Sequence, residues 1–347
     1  MSLLFGLSVA ERIEWAFAEE AHGKLIKESV TEIGVFNQIP DGRLPHTGKR
    51  PTIIEHEIRR GLEREWSRSR ALFDRVERIG VSAIGVTDPE HRLLTNIVRK
   101  PWKAPRKKQP LINFDALFRT SLSTGEALFP RVKDQNQITV LNDAQAACLL
   151  EHVYAFDDSK PPVSLLYLLV DEGINGAISY SGRAPHTGHN VEVGHCRPPL
   201  HEFDLAFDPT VTGCTSHVLC FEGLASDARV RQQWGSNFSA LSDTNLKEAL
   251  DIEAWYLGQL AMLGIQTLDP EAVRFGGEVF HGSNGLALIE GIRQMVLELN
   301  GGYLPHYRTR KDIKQLIQRG TYGRAVGVLS ALHIAATGRG EMRSINR

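Results

Sequence analysis

The feature that most constrains this chain is a short cysteine–histidine stretch at residues 213–226, Gly-Cys-Thr-Ser-His-Val-Leu-Cys-Phe-Glu-Gly-Leu-Ala-Ser. It sets Cys214, His217 and Cys220 at intervals of three, with Glu222 just beyond. Upstream lies Glu192-Val193-Gly194-His195, and three of the four cysteines (Cys196, Cys214, Cys220) fall in this window. A structural zinc takes four Cys or His ligands in a tetrahedron. Cys214, His217 and Cys220 supply three from one compact loop, and His195 could close the site. Two thiolates and two neutral imidazoles leave Zn²⁺ formally neutral, which suits a structural role. The plain alternative is a pair of buried cysteines beside an unrelated histidine. Cys196 is a competing ligand, but its place next to His195 makes joint ligation awkward.

With 347 residues, the chain is long enough for two domains. At 42% apolar and 23% charged it can bury large cores, and its net charge of −1 gives no bias toward nucleic acid or membrane. No apolar run approaches the roughly 18–20 residues of a membrane span. The opening Met1-Ser2-Leu3-Leu4-Phe5-Gly6 reads as a first strand and not as a signal peptide. Four cysteines are too few for a disulfide scaffold, so a cytoplasmic protein with thiols free or on metal is expected.

Residues 3–9 and 13–18 read as two strands, with a third near 28–36 after a turn. Residues 36–50 read as a loop. Apolar positions Ile54, Ile58, Leu62, Trp66, Leu72, Phe73 and Val76 put an amphipathic helix, broken or continuous, over 52–78. A buried strand is expected at 81–86. Residues 99–108 carry six basic side chains, either a solvated loop or an anion-attracting rim. A strand at 137–141 leads into a helix at 143–154. An apolar strand at 163–170 runs into Asp171-Glu172-Gly173-Ile174-Asn175-Gly176 and a second hairpin. Helices follow at 244–267 and 285–299, a strand at 273–277 ends in paired glycines, and a small-residue helix closes at 323–337. Hairpin, strand and helix thus occur twice, which suits two α/β lobes with a ligand between domains.

Asp143 stands at a strand-to-helix junction. It can be an ordinary N-cap, or it can deprotonate a substrate hydroxyl. Gly173 and Gly176 in one turn, and Gly276 and Gly277 in another, could cradle phosphate, although glycines after a strand are commonly just tight turns. Asp171 and Glu172 could instead act as paired acid/base carboxylates.

Taken together, these residues resemble the ROK family of sugar kinases, fructokinase-like branch. The carriers are the stretch at 213–226, Glu192-Val193-Gly194-His195, Asn142-Asp143-Ala144-Gln145-Ala146-Ala147, residues 269–277 and residues 322–331. The resemblance implies a two-lobed actin/hexokinase-like (ribonuclease H-like) α/β fold with a central cleft. One lobe would span 1–153, completed by 322–347; the other, 154–321, would hold the zinc loop. It implies that Asp143 is the general base, that Asn142, Glu192, His195 and Glu222 bind sugar hydroxyls, and that Gly173, Gly176, Gly276 and Gly277 face the nucleotide. It also implies that Zn²⁺ sits on His195, Cys214, His217 and Cys220, with His195 dividing its two nitrogens between metal and sugar. The expected partners are a monosaccharide or sugar phosphate, and a second copy in a homodimer. No nucleic acid is expected, since the family's repressors carry an added helix-turn-helix and this chain opens at the first lobe.

The chain departs from the family on the nucleotide side. Where the family has Asp-x-Gly-Gly-Thr, this chain has Ser8-Val9-Ala10-Glu11-Arg12; where it has Gly-Thr-Gly-x-Gly, this chain has Asp171-Glu172-Gly173-Ile174-Asn175. Glu278 replaces a small residue, and Val86-Thr87-Asp88 replaces a Pro-Gly turn. Carboxylates within ~4–6 Å of a polyphosphate repel it by several kcal/mol unless a cation intervenes. Mg-ATP use is therefore in doubt, and two readings stand: an active hexose kinase, or a pseudokinase that binds sugar without ATP.

Overall fold

Unbroken apolar runs such as Ser-Leu-Leu-Tyr-Leu-Leu-Val (residues 164–170) set the architecture, because a strand buried on both faces shows no alternation. A computed structural model of the chain describes residues 1–10, 12–38, 50–96, 112–121, 123–156, 161–185, 191–206, 211–214 and 216–338. The basic segment 99–108, most of the loop at 36–50, Glu11 and Thr215 lie outside them. The chain divides into two compact units.

The first unit takes the described residues of Met1–Leu150, Arg183–Asn190 and Ala325–Arg347. Its strands are β1 (Ser2–Val9), β2 (Arg12–Ala21), β3 (Lys24–Ile26), β4 (Gly34–Gln38), β5 (Val76–Ala83), β6 (Val86–Asp88), β7 (Leu93–Asn96), β8 (Ile112–Asn113) and β9 (Ile138–Asn142). The helices α1 (Arg50–Phe73) and α2 (Phe114–Arg119) lie here, and α3 (Asp143–Tyr154) begins here. The main sheet runs β3-β2-β1-β5-β9, with β4 also on β2. β1 and β2 form an antiparallel hairpin, while β5 and β9 add in parallel. The last described helix, Val326–Thr337, lies directly on β1 and β5 because Gly80 has no side chain. A Cβ there would fall 1.8 Å from the Ala331 carbonyl oxygen.

The second unit takes Glu151–Gly182 and the described residues of Val191–Arg324. It holds β10 (Ser164–Val170), β11 (Ile174–Tyr180), β12 (Ala272–Gly276) and β13 (Ile317–Arg319) in the order β11-β10-β12-β13. β10 and β11 form the antiparallel hairpin, and β12 and β13 are parallel. Its helices are α4 (Phe221–Ala225), α5 (Asp227–Trp234), α6 (Asp243–Leu268), α7 (Gly282–Asn300) and α8 (Arg310–Leu316); the closing helix of the first unit is α9. Leu166 and Leu168 of β10 pack with Leu257 and Leu260 of α6 and Ile289 and Ile292 of α7 in one buried core. Each unit therefore opens with a hairpin and continues with parallel strands, as the order of elements in the sequence suggests.

Three expectations need correction. The third strand near 28–36 is two pieces, β3 and β4, separated by a 3-10 turn at Lys27–Ser29 whose Ser29 hydroxyl accepts from the Glu19 amide at 2.7 Å. The helix over 52–78 ends at Phe73, with a break at Ser69 (φ −131°, ψ 33°). Val76 keeps the helical phase but opens β5, where it is fully buried opposite Leu3. The strand placed at 81–86 accordingly starts earlier and stops at Ala83, and Gly85 (φ +93°) turns the chain into β6.

Candidate functional site

The cysteine–histidine loop is built on the start of β11. Gly176 pairs with Val191 in a bridge, and a 3-10 turn at Val193–His195 follows. Gly194 is required in that turn: a Cβ would lie 2.1 Å from the Ile174 carbonyl oxygen. The Phe221 amide donates to the Cys196 carbonyl at 3.0 Å, which ties the His195 turn to the start of α4. Cys214 accepts from the His217 amide at 3.3 Å, and Cys220, capping α4, accepts from the Gly223 amide at 3.3 Å. Amides aimed at sulfur stabilise thiolates.

These turns bring the predicted ligands together. His195 Nδ1 lies 3.7 Å from Cys214 Sγ and 3.8 Å from Cys220 Sγ. Ligand atoms of His195, Cys214 and His217 all lie within 4.8 Å of one another. Zn–S near 2.3 Å and Zn–N near 2.0 Å give tetrahedral ligand–ligand edges of roughly 3.3–3.8 Å, so the His195–cysteine spacings fit a metal directly. His217 closes that group from the exposed side, while Cys220 stands outside it and joins the cluster through His195 and Cys214. Cys196, the competing ligand, is an exposed free cysteine.

The electrostatics suit a cation. A hydrogen bond from the Cys220 thiol, with others from His195 and the amides of His217 and Ser216, outweighs burial and holds the Cys214 pKa down at about 3. Cys220, beside that thiolate and buried, is pushed up. His195 is raised, first by its bond to Cys214 and against burial, then by the charges of Glu222, Cys214 and Glu192. A divalent cation on this cluster would bind the thiolate and neutral imidazole forms and displace their protons.

Two carboxylates act on His195 by their charge. Glu192 Oε2 is 3.6 Å from His195 Nε2, and the Glu192 side chain is half-exposed. Glu222, in the first turn of α4, is buried and accepts from the Ile174 amide at 3.1 Å. The loop therefore presents two acceptors and an imidazole beside its ligand cluster.

In the first unit, Asn142 ends β9 fully buried, its amide donating to the Gly85 carbonyl at 2.8 Å and its oxygen accepting from the Ala144 amide at 3.0 Å. Asp143 opens α3, and its carboxylate also accepts from the Ala144 amide, at 2.8 Å.

The four glycines assigned to the nucleotide side all have internal neighbours. The Gly173 carbonyl accepts from the Asp171 amide at 2.8 Å and closes the β10–β11 turn. Gly176 lies inside β11 and not in the turn, where a Cβ would meet Val193 Cγ2 at 2.6 Å. A Cβ on Gly276 would meet the Tyr167 hydroxyl at 1.8 Å. Gly277 has φ +106°, and a Cβ there would lie 2.1 Å from the Val170 carbonyl oxygen and 2.9 Å from Asp171 Oδ1.

The acids nearby are paired. Asp171 Oδ1 accepts from the Glu278 amide, Glu172 pairs with Arg231, and Glu278 is gripped by Arg324 at 2.6 and 3.2 Å. Neither arginine was found by sequence reasoning, because no local spacing signals the pairs: Glu278 and Arg324 are 46 residues apart. A buried group behind the loop was missed for the same reason. There Arg229 donates to Asp204 at 3.1 Å, Tyr256 donates to Asp204 at 2.7 Å, and Glu253 is fully buried beside them.

Fold and site together describe a protein of two α/β units with a metal-ready cysteine–histidine loop on the second. Residues 131–330 match the sequence model of the ROK family, more than half of the chain. The chain therefore belongs to the ROK family. It is 27% identical over 198 residues to a fructokinase of Zymomonas mobilis, covering 57% of this chain and 62% of that relative, less than two thirds of its length. A ROK hexokinase of Thermus thermophilus superposes with a TM-score of 0.58 at 21% identity, covering 95% of this chain and 97% of that one. A ROK family glucokinase of Streptomyces griseus, solved with glucose and AMPPNP, superposes with a TM-score of 0.63 at 18% identity, covering 97% of this chain and all (100%) of that one. These likenesses establish the two-lobed actin/hexokinase-like fold. Among the described residues no helix is long and apolar enough to cross a membrane.

Proposed function

We propose that this chain is a carbohydrate kinase of the ROK type, acting on a hexose of the fructose class. The observation that carries the reading is the placing of Glu192 and His195 against the loop that holds Glu222, with His195 spaced from Cys214 and Cys220 as zinc ligands are. Vicinal sugar hydroxyls need paired acceptors and donors held rigidly, and a structural Zn²⁺ on His195, Cys214, His217 and Cys220 would supply that rigidity. His195 would ligate through Nδ1 and turn Nε2 toward substrate and Glu192. Asn142, fully buried on the Gly85 carbonyl and the Ala144 amide, supports the start of the helix that carries Asp143. Asp143 acts as general base: it takes the proton of the attacking hydroxyl as that oxygen bonds to the γ-phosphorus of Mg-ATP and the bond to ADP breaks.

A second reading is favoured by one observation, the pairing of Asp171, Glu172 and Glu278 at the glycine turns. In this reading the chain binds a sugar or sugar phosphate and does not use ATP. A coupled ADP-release assay across common hexoses tests the first reading. Turnover should fall by about 10²-fold or more in Asp143→Asn, and wild-type turnover no higher than that variant's would refute it. Thermal stabilisation by a sugar but none by Mg-ATP would then support the second.

A further inference from the structure

A polyphosphate site on a glycine turn works by offering free backbone amides and cations to oxyanions. In the second unit both kinds of donor are present, and both are already taken by carboxylates of this chain. The Glu278 amide, which follows Gly277, donates to Asp171 Oδ1. Gly277 has no side chain where one would collide with Asp171, so this glycine makes room for the internal carboxylate. Arg231 holds Glu172, and also Asp227 at 2.7 Å and Asn237 at 3.3 Å. Arg324 holds Glu278 through two nitrogens, and the Ser239 hydroxyl reaches the same carboxylate at 3.5 Å. Asn237 and Ser239 flank Phe238, so the two arginine–carboxylate pairs form one rim around the two turns.

We propose that this rim is an anion site occupied by the chain's own carboxylates: Glu172 and Glu278 stand on Arg231 and Arg324 where a polyphosphate would, and a nucleotide binds only by displacing them. The inference rests on the reading of these turns as the nucleotide side of a ROK-type site. The cations for a polyphosphate are in place, and the acids both repel it and cover them. The pairs are exchangeable. The Arg324 side chain is 69% exposed and Arg231 is 34% exposed, against 30% for Glu278 and 27% for Glu172. The Arg324–Glu278 pair is open enough to water to contribute little stability, so swapping its carboxylate for a ligand oxyanion costs little, and Arg231 keeps the buried Asp227 as its anchor when Glu172 leaves.

The test is equilibrium binding of Mg-ATP, and separately of magnesium triphosphate, to the full chain and to Glu172→Gln, Glu278→Gln and the double variant. Glutamine keeps the shape and removes the charge. Each single variant should bind Mg-ATP about tenfold more tightly than wild type, and the double variant more tightly still, by the Coulomb term of a partly exposed charge near a polyphosphate. Adding Arg324→Gln to Glu278→Gln should abolish that variant's gain. Triphosphate should follow the same order, since the rim reads phosphate and not the base. A double variant that binds Mg-ATP no better than wild type would overturn the proposal, and so would a wild type that already binds as tightly as the double variant. Sugar-induced thermal stabilisation, measured in the same samples, reports folding and the other half of the site. If it is absent from every protein, the functional reading fails; if it is retained while nucleotide affinity stays flat, only the self-occupied rim fails.

Discussion

Replacing Glu253 by glutamine should stabilise this protein increasingly as pH rises above the ordinary carboxylate value. Glu253 lies in α6 with no exposed surface, and among the described residues neither of its carboxylate oxygens has a hydrogen-bond partner. Burial raises its pKa well above 4.5; Arg229 opposes this, while Asp227 and Asp204 add to it. Arg229 cannot offset the burial, since its guanidinium already serves Asp204 at 3.1 Å and Gln233 at 2.7 Å. Below the unfolded value the carboxyl is protonated in both states and costs nothing extra. Above it, unfolding releases a proton that the folded chain must retain, so stability falls as pH rises toward the folded-state value. The slope is about 1.4 kcal/mol per pH unit for one proton. Glutamine has no proton to lose and nearly the same volume. The stability difference between Glu253→Gln and wild type should therefore widen in favour of the variant as pH rises above the unfolded value, by at most about 1.4 kcal/mol per unit, until the folded-state value is reached. Urea unfolding followed by tryptophan fluorescence at several pH values measures that difference directly. Two parallel pH profiles would show that Glu253 is ionised in the folded protein and would refute the argument from burial.

Two further outcomes test the packing and the loop. Gly80→Ala should cost about 3 kcal/mol, at the upper end for overpacking, because the new Cβ meets the Ala331 carbonyl and the Ala335 amide of α9, backbone that cannot rotate away; a thermal melt within a degree of wild type would contradict this. Purified protein should carry stoichiometric zinc that Cys214→Ser loses together with thermal stability, while Cys196→Ser keeps both; equal zinc in the two variants would place the metal elsewhere.

Much of the fold was legible because its strongest signals are local. The apolar run of β10, fully buried along its length, announces a central strand wherever it is read. Asn142 and Asp143 mark a strand end and a helix start by capping chemistry alone. The misreadings occurred where two local patterns overlap. Val76 continues the helical phase of Leu72 and Phe73, but the amides of Asp74 and Arg75, turning back to the Arg70 and Leu72 carbonyls at 2.9 and 3.0 Å, close the helix and hand Val76 to the sheet. The short strands β7, β8 and β13 have too few residues to show a period, and pairing with a neighbour is what makes them strands.

The candidate site divides along the same line, and the division bears on function. The loop's ligands come mostly from one short segment, so their spacing records the geometry; only His195 is distant, and it is bound to the loop by the Cys196–Phe221 hydrogen bond. An anion site is different in kind. Its donors are backbone amides and arginines, and whether they are available depends on which carboxylates reach them. Asp171 reaches an amide 107 residues away, and Glu278 an arginine 46 residues away. From the sequence alone, Asp171, Glu172 and Glu278 could only be counted as negative charges, and the count predicts repulsion. In the folded chain the same residues each have a cation or an amide, which converts a simple deficit of glycines into a competition between internal and external anions. A competition can be biased by substituting a single carboxylate, whereas a missing phosphate cradle could not be restored that way. Nucleotide affinity in the glutamine variants therefore separates a chain that has lost its phosphate chemistry from one that holds it closed.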